Sequence, residues 1–213
     1  IGSISTLADT SELQRAAFNE AFADHGLDWH WDRDTYRTML DTAGGRDRIA
    51  GYAESVGVTV DAEAIHATKS QRFQAMLAEA RVEARPGVAE AIAARRSAGE
   101  PVALVTTTSR ANVDALLDAL AGTVSAEDFD LIVTADDVDA PKPDPAAYRV
   151  ALDRLGIDAD AVVAVEDNVD GARAAAAAGL RCVAFPNENT GGHDFSAVAD
   201  AVARGRLDPD LVA

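Results

Sequence analysis

Cysteine, lysine and targeting signals are what this chain of 213 residues has least of. The single cysteine, Cys182, cannot form an internal disulfide, which suits a reducing cytoplasm. It reads as a buried structural thiol. No apolar run approaches the ~18 residues of a membrane helix. No basic segment followed by an apolar one opens the chain, so no export signal is predicted and the expected location is cytoplasmic. Positive charge is scarce: 19 Lys and Arg face 36 Asp and Glu, a net charge of −17. Such a chain repels nucleic acid and anionic membranes, which excludes both as expected partners. Lysine occurs only at Lys69 and Lys142. An anionic ligand would need a local cationic patch against this background, so each well-placed Lys or Arg is informative. His25, His30, His66 and His193 lack metal-ligand spacing and read as surface or packing residues. Nothing specifies oligomeric state; a monomer or an unspecified oligomer is the expectation.

A hydrophobic fraction of 48% excludes a disordered chain. The length fits one large domain, or a core with a smaller insertion. No repeat is present. Residues 11–82 read as nearly all helix, with Leu13, Ala16, Ala17, Phe18 and Phe22 at helical spacing. Gly44-Gly45 breaks this region once, and Asp61 caps a helix carrying Ile65, Phe73, Met76 and Leu77. Trp29 and Trp31 are expected to pack here. After Pro86-Gly87 short apolar runs, "PVALV", "FDLIV", "AVVAVE" and "RCVAF", alternate with helical stretches at 88–97, 111–120, 145–155 and 171–178. That alternation predicts right-handed βαβ units on a parallel sheet, and continuous apolarity fits strands buried on both faces. The reading is a doubly wound, Rossmann-like α/β core (1–10 and 84–213) with a small all-helical cap (11–83) inserted near the N-terminus.

Ligands of open parallel sheets bind at the carboxyl ends of the strands, and polar residues crowd all four ends. Thr106, Thr107 and Thr108 precede a helix, where hydroxyls and free N–H groups suit an anion or, equally, a helix cap. Lys142 sits in "PKPDP", on a loop stiffened by proline. Glu166 and Asp167 are adjacent carboxylates, suited to a hard cation or to the positive end of a helix.

These residues, each after its own strand, resemble the haloacid dehalogenase superfamily in its subgroup with a small helical cap. "RPGVAEAIAARRSAGEPVALVTTTSRANVDALL", "PKPDP" and "VEDNVDGARAAAAAGL" resemble the family's second, third and fourth motifs. "GGRDRI" and "TLADTSELQRAAFNEAF" are similar to the cap of β-phosphoglucomutase-like and CbbY-like sugar-phosphate phosphatases. The resemblance implies Mg²⁺-dependent hydrolysis of a small sugar phosphate or bisphosphate through an aspartyl-phosphate. It implies that Thr106 binds the transferring phosphoryl group with Thr107 and Thr108 near it. Lys142 offsets clustered negative charge. Asp167 is the direct metal ligand, with Glu166 beside it or acting through water. Gly45, Arg46 and Lys69 hold the rest of the substrate; a guanidinium such as Arg46 pairs with phosphate at two points.

The family's first motif, Asp-x-Asp-Gly-Thr, is broken here. In register with "TLADT", Gly2 stands at the nucleophile, Ile4 at the acid/base and Ser5 at the glycine. Asp9 is placed to cap or hinge, and nothing aims Asp136 or Asp137 at the site. The central strand is cut short, which predicts exposed backbone edges on both its neighbours. Metal binding is expected to be weakened or absent, and activity low or nil. Replacing Gly2 and Ile4 by Asp is expected to restore turnover if the rest of the site is intact. The alternatives are a non-catalytic binding or regulatory protein for a phosphorylated metabolite, or a phosphosugar mutase that would need the same missing acid/base. An altered terminus or a shift of reading frame would also account for "SIST" at Ser3 to Thr6.

Overall fold

The computed structural model describes residues 1–40 and 44–213. A short helix α1 (Ile4–Leu7) leads into four helices, α2 (Ser11–Asp24), α3 (Arg33–Thr38), α4 (Gly45–Ser55) and α5 (Ala62–Glu79). Helices and strands then alternate: α6 (Val88–Ser97), β1 (Ala103–Val105), α7 (Arg110–Ala119), β2 (Leu131–Val133), α8 (Ala146–Leu155), β3 (Val163–Glu166), α9 (Val169–Ala177), β4 (Arg181–Ala184) and β5 (Ala201–Val202). Local chemistry starts the helices. Asp32, Asp61, Ser109 and Asn168 each accept a backbone N–H from the first turn that follows, satisfying donors that the helix leaves unpaired. Asp61 is the cap anticipated from the sequence.

All strand pairs are parallel: β1 with β2, and β3 with β4, which in turn pairs with β5. Between the two sheets lies the start of the chain. The Ile1 terminus donates to Ala103 O at 2.8 Å, Val105 N–H donates to Ile1 O at 2.8 Å, and Gly2 N–H donates to Val165 O at 2.8 Å. Ile1 and Gly2 bridge β1 and β3 at the strand ends, so the exposed edges predicted from the short first strand are closed only there. Beneath them a cavity of about 480 Å³ opens between the two strands.

Side chains of successive strand residues point to opposite faces, and the core divides accordingly. Leu104, Val165 and Val183 pack with Val88, Ile92, Val113, Leu116 and Leu117 of α6 and α7, joined by Phe73 and Leu77 of α5. Val105, Ala164, Cys182 and Ala184 pack on the other face with Tyr148, Ala151, Ala172 and Ala175 of α8 and α9. A third cluster belongs to the helical cap: Phe18, Phe22, Trp31, Tyr36, Ile49 and Ile65. Trp31 is fully buried, with Phe18 and Phe22 at ring distances of 4.9 and 4.7 Å. No helix among the described residues is long and apolar enough to cross a membrane.

Candidate functional site

Four loops and the bridging stub converge at the carboxyl edge of the sheet, and α2, α4 and α5 roof them. The cleft between has a volume of about 810 Å³. It brings together every residue singled out from the sequence: Thr106, Thr107, Thr108, Lys142, Glu166, Asp167, Gly45, Arg46 and Lys69 all line it.

Lys142 and Glu166 form its floor. Lys142 Nζ donates to Glu166 Oε1 at 2.5 Å and to the carbonyls of Val105 and Gly2 at 2.7 and 2.5 Å. Tyr148 OH donates to the same carboxylate oxygen at 2.6 Å, beneath the ammonium. Glu166 is fully buried. Burial pushes its carboxyl up from the ordinary value, and Lys142 opposes that shift. Burial, reinforced by the Glu166 charge, raises the Tyr148 hydroxyl well above its usual value. The Glu166 Oε2 atom is buried without a hydrogen-bond partner. A Cβ at either Gly2 or Gly171 would overlap the Glu166 carboxylate. The carboxylate thus lies in a slot made by two missing side chains, one of them at the position of the absent nucleophile. In the structure Glu166 pairs inward with Lys142 and Tyr148.

Asp167 is held by donors. Its Oδ1 accepts from Ser3 Oγ at 2.6 Å, Thr6 Oγ1 at 3.2 Å and Asn168 Nδ2 at 3.2 Å; its Oδ2 accepts from Asn187 Nδ2 at 3.4 Å. Mg²⁺ requires an octahedron of oxygen donors, usually with one or two carboxylates free to reach it. Here one carboxylate is covered by hydroxyls and amides and the other is tied to a lysine. Among the described residues no group of three or more His, Cys, Asp and Glu could hold a metal ion. A Mg²⁺ ion at Asp167 would have to displace the hydroxyl and amide partners that hold it here.

The end at Thr106 to Thr108 has the groups to take an anion. Thr106 is buried, and its Oγ1 accepts from Thr108 N–H at 3.3 Å. Ser109 caps α7, whose first turn opens towards the cleft. That is the arrangement in which a helix start attracts phosphate.

The roof carries cations. Lys69, 4% exposed, donates to Gln14 Oε1 at 3.0 Å and lies 4.9 Å from the ring centres of both Phe18 and Phe73. Burial, with help from Arg48, lowers it from 10.5 to about 7. Gly45 begins α4 with its α-carbon against the His66 ring. Arg46 is exposed and pairs with Asp47 at 3.0 Å and Glu63 at 3.7 Å, so it stands at the rim. Arg48, two residues on, reaches inward over the rings of Phe18 and Tyr36. Asp136 and Asp137 are engaged elsewhere: Asp136 accepts from Arg110 N–H, and Asp137 caps Thr134 and pairs with Arg154. Asp9 accepts from Ser11 N–H at the start of α2.

Sequence reasoning missed Ser3, Thr6, Gln14, Arg48, Asn112, Tyr148, Asn187 and Thr190 as parts of the site. Only the polar run after "RCVAF" offered a signal, for the last two. Arg85 was also missed. It is 9% exposed, stacks 3.5 Å from the Phe185 ring centre, and donates to the carbonyls of Ser5, Phe185 and Pro186.

A family model for haloacid dehalogenase-like hydrolases matches residues 5–179. The protein CbbY of Cereibacter sphaeroides is 44% identical over 194 residues, 90% of this chain and 84% of that protein. A crystal structure of CbbY from Rhodobacter sphaeroides in complex with phosphate superposes with a TM-score of 0.85 at 42% identity, covering 95% of this chain and 90% of the other. A point mutant of that protein in complex with xylulose 1,5-bisphosphate gives 0.84 at 42% identity, covering 92% and 88%. The chain belongs to the haloacid dehalogenase-like hydrolase family.

Proposed function

We propose that this chain binds a small phosphorylated sugar in the cleft between cap and core and hydrolyses it slowly or not at all. The phosphate end of the ligand sits against Thr106 to Thr108 and the start of α7. The sugar and any second phosphate face Lys69 and Arg48, with Arg46 at the rim. Complexes of the CbbY relative with phosphate and with xylulose 1,5-bisphosphate support this ligand class.

One observation carries the inactivity: the Glu166 carboxylate fills the space that a side chain at position 2 would need. The free carboxylate that attacks phosphorus in the family has no counterpart at Gly2, and Ile4, 5% exposed, packs into the apolar core. Loss of a nucleophile that works with a base costs on the order of 10⁶ in rate. A mutase would need the same acid/base at position 4, where Ile4 supplies none, so the ligand is bound without turnover.

The test is a panel of sugar mono- and bisphosphates, xylulose 1,5-bisphosphate included, with and without Mg²⁺. Thermal stabilisation by ligand with no phosphate release is expected. Release at roughly 1 s⁻¹ or faster, an ordinary enzyme rate, would overturn the inactive reading. No stabilisation by any member would overturn the binding reading.

A further inference from the structure

Two chains of hydrogen bonds, each passing through side chains and one backbone N–H, descend from the cap on either side of the cleft and end at Thr106 and Asp167. On the first side Gln74 of α5 donates Nε2 to Asn112 Oδ1 at 2.9 Å. Asn112 is 4% exposed and donates Nδ2 to Thr108 Oγ1 at 3.0 Å; Thr108 N–H then donates to Thr106 Oγ1 at 3.3 Å. On the second side Arg37 of α3 donates Nε to Asn189 Oδ1 at 2.9 Å and Nη2 to Glu188 O at 3.3 Å. Asn189 N–H donates to Asn187 Oδ1 at 2.9 Å, and the Asn187 amide reaches Asp167 Oδ2. Thr190 closes this arm by donating to Asp167 O at 2.6 Å.

The connecting groups are buried carboxamides. Asn112, Asn187 and Asn189 are each at least nine-tenths buried. A carboxamide has an accepting end and a donating end, so Asn112 and Asn187 each hold a cap-side donor and a floor-side acceptor at once. Turning either one breaks both bonds, and a buried polar group left unpaired is costly. A shift of α3 or α5 is therefore felt at Asp167 or at Thr108 without any direct contact.

We propose that Arg37 and Gln74 are positioning residues that couple the placement of the cap to the anion-binding loop and to Asp167. Because coupling of this kind is reciprocal, a ligand bound at Thr106 to Thr108 also strengthens the Arg37 and Gln74 contacts. The ligand half of this proposal rests on the phosphate-binding reading above.

The experiment has two readouts. Amide hydrogen exchange of the ligand-free protein reports the relay itself. Arg37→Ala is expected to speed exchange at 187–190 and leave 106–109 unchanged, and Gln74→Ala to do the reverse. Binding of orthophosphate, a probe too small to span the cleft, reports the coupling. Each variant is expected to weaken it by ~5-fold or more. Arg37→Gln keeps a donor for Asn189 without the charge and is expected to bind better than Arg37→Ala. Equal binding by these two, with Arg37→Lys at the wild-type level, would reduce Arg37 to a long-range charge and overturn its role. Unchanged exchange in both loops overturns the relay. Failure of the wild-type protein to bind orthophosphate overturns the cleft reading, and the exchange pattern then decides the relay by itself.

Discussion

Gly2 and Ile4 divide the problem of the missing carboxylates into two kinds. At Gly2 the obstacle is space. The Glu166 carboxylate is pinned between Gly2 and Gly171, with Lys142 and Tyr148 holding one oxygen. Overpacking a filled site costs ~1–3 kcal/mol. Gly2→Ala is expected to lose about that much in urea unfolding, and Gly171→Ala a similar amount; wild-type midpoints for both would show that Glu166 moves aside freely. At Ile4 the obstacle is medium, because its side chain, though it borders the cleft, packs into the apolar core. A carboxylate there must find a partner or stay protonated. Restoration of turnover by Gly2→Asp with Ile4→Asp, expected from the family pattern alone, is therefore revised. The double variant is expected to fold poorly and release no phosphate, and circular dichroism beside a phosphate-release assay would check both halves. Lys142 shows the same logic from the other side. Lys142→Met leaves a buried carboxylate unpaired, at ~3–5 kcal/mol. The loss should shrink in a Glu166→Gln background, measured as a double-mutant cycle in urea.

Among the elements, α5 carries the clearest pH dependence. Its Lys69 has a carboxamide and two aromatic rings for neighbours, with Arg48 and His66 as the nearest other bases. The folded value is about 7 against 10.5 when exposed. Between these values the unfolded chain binds the extra proton, so stability rises with pH across that window. Lys69→Met removes the dependence. The wild-type melting temperature, relative to that of Lys69→Met, is expected to climb from pH 7 to pH 10 and to be lowest below pH 7; a flat difference would show that the ammonium is well solvated. Elements such as α5 were legible in the sequence because their physics is periodic or local: Asp61 caps, Ile65 and Phe73 repeat at helical spacing, and the buried parallel strands are apolar throughout. The strand-end residues were legible because the sheet sends its loops to one edge. What hid was set by partners remote in sequence. Ser3 and Thr6 meet Asp167 across 164 and 161 positions, and Tyr148 reaches Glu166 from an apolar helix face. Arg46 and Arg48 lie two apart on α4, so helical geometry sends one to the rim and the other inward.

At the scale of the whole molecule, charge dominates. The net charge of −17 is spread over a surface where most ion pairs are at least partly exposed, such as Arg110 with Asp114 and Arg206 with Glu90, and exposed pairs contribute little. Self-repulsion between acids should therefore outweigh them at low ionic strength. Salt shortens the range of that repulsion, to ~10 Å at 0.1 M, so the melting temperature is expected to rise between low salt and ~0.5 M NaCl. Ligand binding should respond with the opposite sign. The proposed phosphorylated sugar must cross a negative surface to reach Arg48 and, where it is protonated, Lys69, the source of its attraction. Screening lowers the barrier at the surface, which sets the association rate, but it also weakens the attraction that holds the ligand, at the exposed Arg46 rim more than at buried Lys69. Titrations at increasing NaCl are expected to show weaker affinity together with higher melting temperature. Chloride is the salt for this test, because sulfate stabilises folded proteins by exclusion and would compete for the Thr106 to Thr108 loop. A melting temperature that falls with NaCl would mean that the exposed ion pairs outweigh the repulsion. Affinity that rises with NaCl would mean that the acidic surface, and not the cationic cleft, governs the ligand.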